Sequence, residues 1–557
     1  DLFIECLYRH GVRVVFGIPG SHSTHLYDAV NRHGGVQTIL CRNEQAGAFM
    51  ADGYARATGK PGVVCTTAGP GATHALSGIA EAYADSVPVL LISGQVNHDR
   101  INEECGRYHE IDLEGIFRPS ARFSKTLMCP SDIPSLVDQA MVAMVKGRPG
   151  PAALFLPQDL MALDIDTKAS ASVIGLRRIA PDAHAIRRAR EVLAQAQRPV
   201  ILAGGGAIWS DAGRQIEELA SQLDCPVITT LNGKGVIDER SEMSLGHGRT
   251  RPARMALARA DAMLACGCRF TEIFTVSGSM PVPPALVQID IDPNQIGMNY
   301  PVMVGIPADV KATVEAIGAG FQSPRPAWKT MWQKLRTAPT LAPEWFVDTI
   351  RASVPEDTMI FSDVCEMGVR MQTDFPVYGP RRFFYPSNYV TLGWGLPAAI
   401  GAAVAHRNKW IVCVAGDGGF VMTAQELATA ARYRLKVIII IHNDSTYGAI
   451  KNIQHDKHDR RYRDTELNNP DFLSLAESFG VASHRAVDAD DLSMAIHRGL
   501  DRGGPTLIEV PDHWRAIRLG AVQRVEKLAA TQTKSFAPDA QMPTALARPI
   551  IRENESL

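Results

Sequence analysis

The stretch Trp410-Ile-Val-Cys-Val-Ala-Gly-Asp-Gly418 joins an apolar run to a tight turn in which glycines flank Asp417. A second apolar run, Lys436-Val-Ile-Ile-Ile-Ile441, leads to Asn443, and the interval between Asp417 and Asn443 matches one strand–helix–strand unit. The pattern predicts two neighbouring parallel strands and a helix from about Thr423, where Thr423-Ala-Gln-Glu426 is typical of a capping box. Both polar side chains should therefore lie at the carboxyl edge of the sheet, where open parallel sheets bind ligands.

The same alternation of apolar runs and helix-like stretches continues along the chain, which predicts an α/β fold built on parallel sheets. Three such blocks are separated by polar or proline-bearing links, and 557 residues are enough for about three domains. We expect domains at residues 1–165, 184–322 and 343–515. A C-terminal tail at 516–557, poor in aromatic residues, should lie over the surface or remain disordered.

The composition is that of an ordinary globular protein, and it excludes several classes of function. Hydrophobic residues make up 46% and charged residues 21% of the chain, and 57 basic against 59 acidic residues leave a net charge of −2. This balance gives no field that would favour nucleic acid or an anionic membrane, and no apolar run reaches the roughly 18 residues of a membrane helix. The 10 cysteines follow no disulfide framework. We therefore expect a cytoplasmic protein with no nucleic-acid or membrane partner.

Oxygen atoms at the predicted strand ends suit a hard cation. A carboxylate from Asp417, a carboxamide from Asn443 and a nearby carbonyl, with two diphosphate oxygens and a water, would complete the octahedron that Mg²⁺ requires. A Gly-Asp-Gly tripeptide alone is more often a simple turn, but with an asparagine at this separation it resembles the cofactor motif of the thiamine-diphosphate-dependent enzymes. The resemblance implies thiamine diphosphate and Mg²⁺ as cofactors, with Asp417, Asn443 and the carbonyl of Ser445 as metal ligands.

A second set of motifs, near the start of the chain, resembles the pyrimidine-binding domain of the same superfamily. Phe16-Gly-Ile-Pro-Gly20 closes a predicted strand, and Arg42-Asn-Glu-Gln45 opens a helix in which Glu44 has the place of the family's cofactor-activating glutamate. Taken alone, Glu44 would be an ordinary charge at a helix start. A carboxyl at this place can hydrogen-bond the aminopyrimidine ring and help to remove the thiazolium proton, so the match implies a catalytic role.

The segment Tyr389–Gly401 resembles the one beneath the bent cofactor, which implies Leu392 as an apolar wedge; an ordinary core leucine is the alternative. By these matches, the implied cofactor contacts are Gly20, Glu44, Thr67, Pro70, Leu392, Gly416, Asp417, Gly418, Gly419, Asn443, Tyr447 and Gly448. The order of domains is pyrimidine-binding, middle Rossmann-like and diphosphate-binding, up to about residue 515. This order resembles acetolactate synthase, benzoylformate decarboxylase and benzaldehyde lyase.

One segment bears on the choice of reaction. Arg107-Tyr-His-Glu110 is similar to an acetolactate synthase stretch, but His109 stands where that family carries a catalytic glutamine. The arrangement also resembles 5-guanidino-2-oxopentanoate decarboxylases, and a histidine exchanges a proton near neutral pH whereas a carboxamide does not. We expect a catalytic His109 in a substrate pocket that also contains Ser21, His22 and Ala449. A structural loop histidine is the alternative.

These matches predict a carboligase or decarboxylase of 2-oxo acids, similar to acetolactate synthase. The alternatives are a lyase that cleaves 2-hydroxy ketones or 2-hydroxyacyl thioesters and a catalytically silent homologue, although Glu44, Asp417 and Asn443 together favour activity. The resemblance also implies a homodimer as the minimal unit and a tetramer as the assembly. The turn Leu202-Ala-Gly-Gly-Gly206 in the middle domain is compatible with FAD or ADP, but a lone turn of this kind is weak evidence and supports neither.

Overall fold

The computed structural model describes residues 1–103, 106–166, 168, 178–336 and 345–513. Its strands form three six-stranded sheets in which all neighbouring strands are parallel. This confirms the predicted fold class, in which helices supply the crossovers that parallel strands need. The predicted tail at 516–557 lies outside the described residues. Among the helices of the described ranges, none is long and apolar enough to cross a membrane.

The first sheet lies within residues 1–166. Its strands are β1 (Val14–Gly17), β2 (Gln37–Leu40), β3 (Gly62–Thr66), β4 (Val89–Gln95), β5 (Phe123–Thr126) and β6 (Ala152–Pro157), in the order β2-β1-β3-β4-β6-β5. The accompanying helices are α1 (Leu2–Arg9), α2 (Thr24–His33), α3 (Glu44–Thr58), α4 (Pro70–Asp85), α5 (Leu113–Phe117), α6 (Ile133–Val145) and α7 (Gln158–Met161). Because β1 and β3 are neighbours, the loops that follow them meet at the carboxyl edge of this sheet.

The second sheet forms the middle body. Its strands are β7 (Pro199–Ala203), β8 (Val227–Thr229), β9 (Ser244–His247), β10 (Ala262–Cys266), β11 (Ala285–Asp290) and β12 (Val304–Pro307), in the order β12-β11-β10-β7-β8-β9. Its helices are α8 (Ala183–Gln195), α9 (Gly205–Trp209), α10 (Gly213–Leu223), α11 (Arg251–Leu257), α12 (Glu272–Thr275), α13 (Val310–Gly318) and α14 (Pro326–Arg336). The middle core continues past residue 322, because Trp328 and Trp332 of α14 are buried in it.

The third sheet contains the stretch Trp410–Gly418. Its strands are β13 (Met359–Ser362), β14 (Phe383–Phe384), β15 (Ile411–Gly416), β16 (Val437–Asn443), β17 (Ala482–Arg485) and β18 (Thr506–Pro511), in the order β14-β13-β15-β16-β18-β17. Its helices are α15 (Trp345–Ser353), α16 (Glu366–Asp374), α17 (Gly395–Ala405), α18 (Asp417–Val421), α19 (Leu427–Arg432), α20 (Gly448–Lys457), α21 (Phe472–Ser478) and α22 (Ala489–Arg502). Strands β15 and β16 are parallel neighbours, as the spacing predicts.

The helical stretch predicted from about Thr423 is present, but its predicted capping box is wrong and a further short helix precedes it. Helix α18 begins at Asp417, directly after β15, and a 3₁₀ turn, Ala424–Glu426, then leads into α19. No capping box forms, because both side chains bond elsewhere. Thr423 Oγ1 donates to the Gly393 carbonyl at 2.9 Å, and Glu426 Oε1 accepts from the Arg42 N–H at 2.9 Å. These partners are distant in the sequence, so a local pattern could not reveal them.

Helices α3 and α17 join the first body to the third along a close contact. A side-chain carbon at Gly53 would collide with the backbone of Ala398, and one at Gly401 would collide with the backbone of Met50. Both positions therefore need glycine, because only a residue without Cβ lets the helix backbones approach so closely. The hydrophobic cores of the two bodies merge here into one cluster.

A buried ionic cluster lies beside this contact. Arg56 Nε donates to Asp52 Oδ1 at 2.6 Å, and its Nη1 donates to Asp85 Oδ2 at 3.0 Å. Glu81 Oε1 lies 3.8 Å from Arg56 Nη2. Burial raises the pKa of Asp52 and of Glu81. The Arg56 guanidinium thus compensates the charge of three buried carboxylates, and the cluster depends on this side chain.

Replacing Arg56 by methionine should leave those carboxylates without their cation, and removing one partner of a buried ion pair typically costs ~3–5 kcal/mol. We expect the loss in free energy of unfolding to be smaller at pH 5 than at pH 8. Glu81, whose pKa is raised by burial to about 8, is largely neutral at pH 5 and becomes ionised as pH rises, so it destabilises the folded state of R56M more at pH 8. Urea unfolding of R56M at the two pH values measures both effects.

The exposed ion pair of Arg214 with Glu218 supplies a matched control. R214M should change the free energy of unfolding by less than about 0.5 kcal/mol, because surface pairs contribute little. Equal losses in R56M and R214M, or a loss in R56M that is the same at both pH values, would contradict the role assigned to Arg56.

Candidate active site

The carboxyl ends of β15 and β16 bring three polar side chains to one point. Gly416 pairs with His442 in the parallel register, so the residues that follow them, Asp417 and Asn443, lie side by side. The amide nitrogen of Asn469 bridges the two, donating to Asp417 Oδ2 at 2.6 Å and to Asn443 Oδ1 at 3.0 Å. Two oxygens that converge on one donor can also converge on a cation.

The expected third ligand lies in the turn after β16. Ser445 has a left-handed backbone with φ 55°, and its N–H and hydroxyl both donate to Asn443 Oδ1, at 3.2 and 3.3 Å. Its carbonyl oxygen accepts from the Leu467 N–H at 2.8 Å and keeps a second lone pair. Burial raises the pKa of Asp417, so a bound cation would stabilise its ionised form. This set of carboxylate, carboxamide and carbonyl oxygens fits Mg²⁺.

Close contacts explain the glycines of the expected diphosphate turn. A side chain at Gly418 would meet the Tyr447 ring at 2.6 Å, and one at Gly416 would meet Cys365 Cβ at 2.7 Å. A side chain at Gly419 would point at the neighbouring turn, 3.5 Å from the backbone nitrogen of Gly393. The turn is therefore packed on its protein side, and its glycines leave the backbone open for a close ligand.

Two carboxylates that the sequence did not indicate face Gly448. The position of a Cβ there lies 3.1 Å from Asp444 Oδ2 and 3.2 Å from Glu366 Oε2. Burial, and next the charge of Asp444, raise the pKa of Glu366 to about 7. These two carboxylates would repel the expected diphosphate, and a bound cation would offset that repulsion.

The segment that carries Leu392 is held by buried carboxylates on two sides. Thr391 donates its N–H and its hydroxyl to Glu81 Oε2, at 3.1 and 2.8 Å. Asp363, which is fully buried, packs against this segment, since a Cβ at Gly395 would lie 2.8 Å from Asp363 Cβ, and burial raises the pKa of its carboxyl to about 6. Leu392 itself is half-buried. No motif marks Asp363, although it follows β13 just as Asp417 follows β15.

Glu44 is the first residue of α3, and Asn43 caps that helix by accepting the Gln45 N–H at 2.8 Å. The Glu44 side chain is 14% exposed, and its Oε2 lies 3.3 Å from His74 Nδ1. Its Oε1 lies 3.3 Å from the position of a Cβ at Gly71, so a larger residue there would press against the carboxylate. His74 could not be predicted as a neighbour of Glu44, because it lies one turn into α4 and belongs to no motif.

The turn after β3 links Glu44 to the loop after β1. A side chain at Gly71 would meet Thr67 Cγ2 at 2.8 Å, and one at Gly20 would meet Thr67 Cβ at 2.5 Å. The His22 N–H donates to Thr67 Oγ1 at 3.4 Å. Pro70 is exposed at the first position of α4. The structure thus brings the expected cofactor residues of the first body into one neighbourhood.

The expected substrate residues of the first body also lie together. The rings of His22 and His109 have centroids 5.4 Å apart, and Tyr108 stacks on both, at 5.6 and 3.8 Å. His22 is buried, and its Nδ1 lies 3.2 Å from the hydroxyl of the exposed Ser21. His109 Nδ1 is buried and has no hydrogen-bond partner among the described residues. These four side chains form one wall of the candidate pocket.

Within the chain, the site residues form two groups. The first surrounds Glu44 and His109, and the second surrounds Asp417 and Asn443. In the described parts of the chain, no hydrogen bond or ring contact joins the two groups. Ala449 belongs with the second group, because it is exposed near the start of α20, just after the turn that contains Ser445. A complete site therefore needs both groups to be brought together.

The glycine-rich turn of the middle body is explained by packing. A side chain at Gly204 would collide with the Gly267 carbonyl, and one at Gly206 would lie 2.7 Å from Gly267 Cα. Glycine is needed at both positions because two backbone turns approach each other there. The turn therefore gives no added support to FAD or ADP.

The matches to known proteins cover almost the whole chain. The family models for the thiamine pyrophosphate enzyme N-terminal TPP binding domain, central domain and C-terminal TPP binding domain match residues 1–116, 186–317 and 363–510. The chain is 34% identical to a probable acetolactate synthase large subunit of Methanocaldococcus jannaschii, over 92% of this chain and 91% of that protein. It is 34% identical to the acetolactate synthase large subunit of Haemophilus influenzae (88% and 90%). It is 33% identical to a probable 2-ketoarginine decarboxylase of Pseudomonas aeruginosa (91% and 92%).

We expect D417A and N443A each to abolish Mg²⁺-dependent binding of thiamine diphosphate, because each removes an oxygen from a near-octahedral site. N469A should weaken binding by only ~10–100-fold, since its amide orients the two oxygens without ligating the metal. Titration calorimetry with and without Mg²⁺ measures these affinities. N468A changes the exposed neighbouring asparagine and should bind like the wild type. Normal cofactor affinity in D417A would overturn the metal assignment.

Proposed function

The chain belongs to the thiamine pyrophosphate enzyme family, and we propose that it uses thiamine diphosphate and Mg²⁺ to decarboxylate a 2-oxo acid. The carbon that has lost CO₂ then either takes up a proton, which gives an aldehyde, or forms a bond to the carbonyl carbon of a second compound. The acetolactate synthases and the 2-ketoarginine decarboxylase among its relatives support this pair of outcomes. The observation that carries the proposal is the meeting of Glu44, Thr67, His22 and His109 around one turn.

Each group of residues would have a separate task. Thiamine diphosphate, when bound, supplies a carbon nucleophile that accepts the electrons released with CO₂. Asp417, Asn443 and the Ser445 carbonyl would hold Mg²⁺ and thereby the diphosphate. Glu44 would hold a proton at the aminopyrimidine ring, and Leu392 would keep the cofactor bent. Nothing in this division requires a nucleotide in the middle body.

The proton chemistry at the substrate falls to His109. A proton must reach the carbonyl oxygen of the substrate when its carbon is attacked, and must leave again when the product carbonyl forms. An imidazole can do both near neutral pH. For aldehyde release, the carbon that has lost CO₂ must also take up a proton, which an imidazole reprotonated from solvent can supply, and this supports the decarboxylase outcome. Cleavage of 2-hydroxy ketones or thioesters is not favoured, because the relatives reported above are named for other reactions.

The packing of α3 on α17 supports a site shared between two chains. Gly53 meets Ala398 and Met50 meets Gly401, so the helices run antiparallel. Six residues of α3 separate Met50 from Glu44, and six of α17 separate Gly401 from Gly395 in the opposite direction. At 1.5 Å per residue, Glu44 and the Leu392 turn lie at opposite ends of the pair, about 18 Å apart along its axis. We propose a homodimer in which each chain supplies Glu44 to its partner's Asp417, and a tetramer as the assembly of such dimers.

The compartment that we propose is the cytoplasm. The nine cysteines in the described ranges are all free thiols, and seven of them are buried. Free thiols persist in a reducing compartment, whereas disulfides are usual in secreted proteins. Fractionation of the source cells, with blotting for this chain, would test the location directly.

The reaction is tested with purified protein, thiamine diphosphate and Mg²⁺. CO₂ should be released from at least one of pyruvate, benzoylformate and 5-guanidino-2-oxopentanoate. In H109A, turnover should fall by ~10²–10⁴-fold, which is the usual contribution of a general acid or base, while cofactor affinity stays normal. H109Q should recover ligation better than aldehyde release, because a carboxamide positions a substrate without donating a catalytic proton.

Two results would contradict the proposal. Full turnover of H109A from pH 6 to pH 8 would make His109 a structural residue. Cleavage of benzoin without CO₂ release from any of the 2-oxo acids would favour the lyase instead.

The shared site is tested by subunit complementation. E44Q and D417A should each be inactive alone, because one lacks the activating carboxyl and the other lacks the metal. In a mixed dimer, one of the two sites would combine the intact Glu44 of one chain with the intact Asp417 of the other. Co-expression in equal amounts should therefore restore about a quarter of wild-type turnover, since half of the dimers are mixed. If both residues served a site within one chain, no activity would return.

A further inference from the structure

The pocket wall contains a histidine pair that the sequence does not show as adjacent residues. His22 comes from the loop after β1, and His109 comes from the loop that precedes α5. The fold brings their rings to a centroid distance of 5.4 Å with an interplanar angle of 37°. Tyr108 covers both rings, at 3.8 Å from His109 and 5.6 Å from His22. The pair is thus built by tertiary structure from two separate loops.

Two glycines make room for the pair. A side chain at Gly94, near the end of β4, would collide with the backbone of His22. A side chain at Gly69 would meet His109 Cβ at 3.0 Å and His109 O at 2.7 Å. Both Gly69 (φ 58°) and His109 (φ 65°) have left-handed backbones, which are uncommon for a residue other than glycine. Such local strain persists only where the surroundings hold it, and it is often found at functional sites.

The two rings influence each other's charge. Burial, and next the positive charge of His109, lower the pKa of His22. The elements packed around His22 offer few other titratable groups. Tyr108 is a phenol on the same loop as His109, while Ser21, Thr67 and Gly94 carry no charge.

Two carboxylates lie on elements near this pair: Glu44, which is separated from His22 by Gly71 and Thr67, and Glu110, which follows His109 in the same loop. Two imidazolium ions at such a distance in a partly dry pocket would repel each other strongly. The pair therefore favours a state in which at most one ring is charged.

We propose that His22 and His109 act as one proton-handling unit that carries a single positive charge, with His22 as the neutral partner. The inference rests on the proposed function of His109 and extends it. His109 gives its proton to the carbonyl oxygen of the substrate, becomes neutral, and takes the hydroxyl proton back when the product carbonyl forms. His22 is a positioning residue, because its ring is tied at Nδ1 to Ser21, supports the stack and disfavours a second charge.

A double-mutant cycle tests the unit. We expect H22N to lower turnover by about tenfold or more, and H22N/H109A to be no slower than H109A alone, because residues that act as a unit give non-additive losses. Independent residues would give losses that multiply. H22Q serves as a second variant in case H22N folds poorly, and cofactor affinity by calorimetry confirms that the site is intact. H25A, which changes an exposed histidine at the start of α2, should behave like the wild type.

A second measurement needs neither substrate nor cofactor. Histidine ¹³Cε1 resonances can be titrated in the cofactor-free protein, and the His22 resonance is the one that disappears in H22N. In H109Q the neighbouring positive charge is gone, so the titration midpoint of His22 should rise above its wild-type value. H25A again serves as the control and should leave this midpoint unchanged.

The two measurements separate the possible failures. If H109A keeps full turnover, or no 2-oxo acid is a substrate, the proposed function fails while the titration still decides whether the rings share one charge. If H109A is slow but H22N turns over normally, or if the losses multiply, the unit is disproved and the role of His109 stands. An unchanged His22 midpoint in H109Q would also disprove it.

Discussion

The buried guanidinium of Arg56 is the interaction on which the geometry of the site depends. Asp85, which accepts from Arg56, also accepts from the Ser387 N–H at 2.9 Å and from its hydroxyl at 2.8 Å. Asp52, the other main partner, accepts from Trp394 Nε1 at 2.9 Å. A buried carboxylate without a cation or a donor is costly, so these bonds fix the segment from Ser387 to Trp394 on the first body. That segment carries Leu392.

Because this cluster and the α3–α17 contact lock the first and third bodies together, neither can move to complete the site within one chain. The antiparallel helices keep Glu44 at one end of the contact and the Leu392 turn at the other. In the homodimer that we propose, the same rigidity would hold each group in place for the group that the second chain supplies. Rigid placement suits catalysis, since small displacements of a catalytic group are costly.

The sequence was sufficient where a recognisable motif follows an apolar run. Asp417 and Asn443 could be predicted as neighbours because strand ends are visible in the sequence and parallel strands align them. Asn469 and Asp363 could not, because no motif marks them and only tertiary folding brings them to the site. The capping box at Thr423 was wrong for a similar reason, since the Thr423 hydroxyl donates to a distant carbonyl.

Two residues of the candidate site, Ser445 and His109, share a left-handed backbone that is uncommon outside glycine. Ser445 (φ 55°) turns the chain sharply after β16, and its N–H and hydroxyl bind Asn443 while its carbonyl stays available to a cation. His109 (φ 65°) turns in the same way against Gly69. A residue with a left-handed backbone turns the chain sharply at one position, so that its side chain and its backbone can both contact the same group. The cost is small beside the stability of a rigid sheet edge, which explains why parallel sheets place such turns at their carboxyl ends.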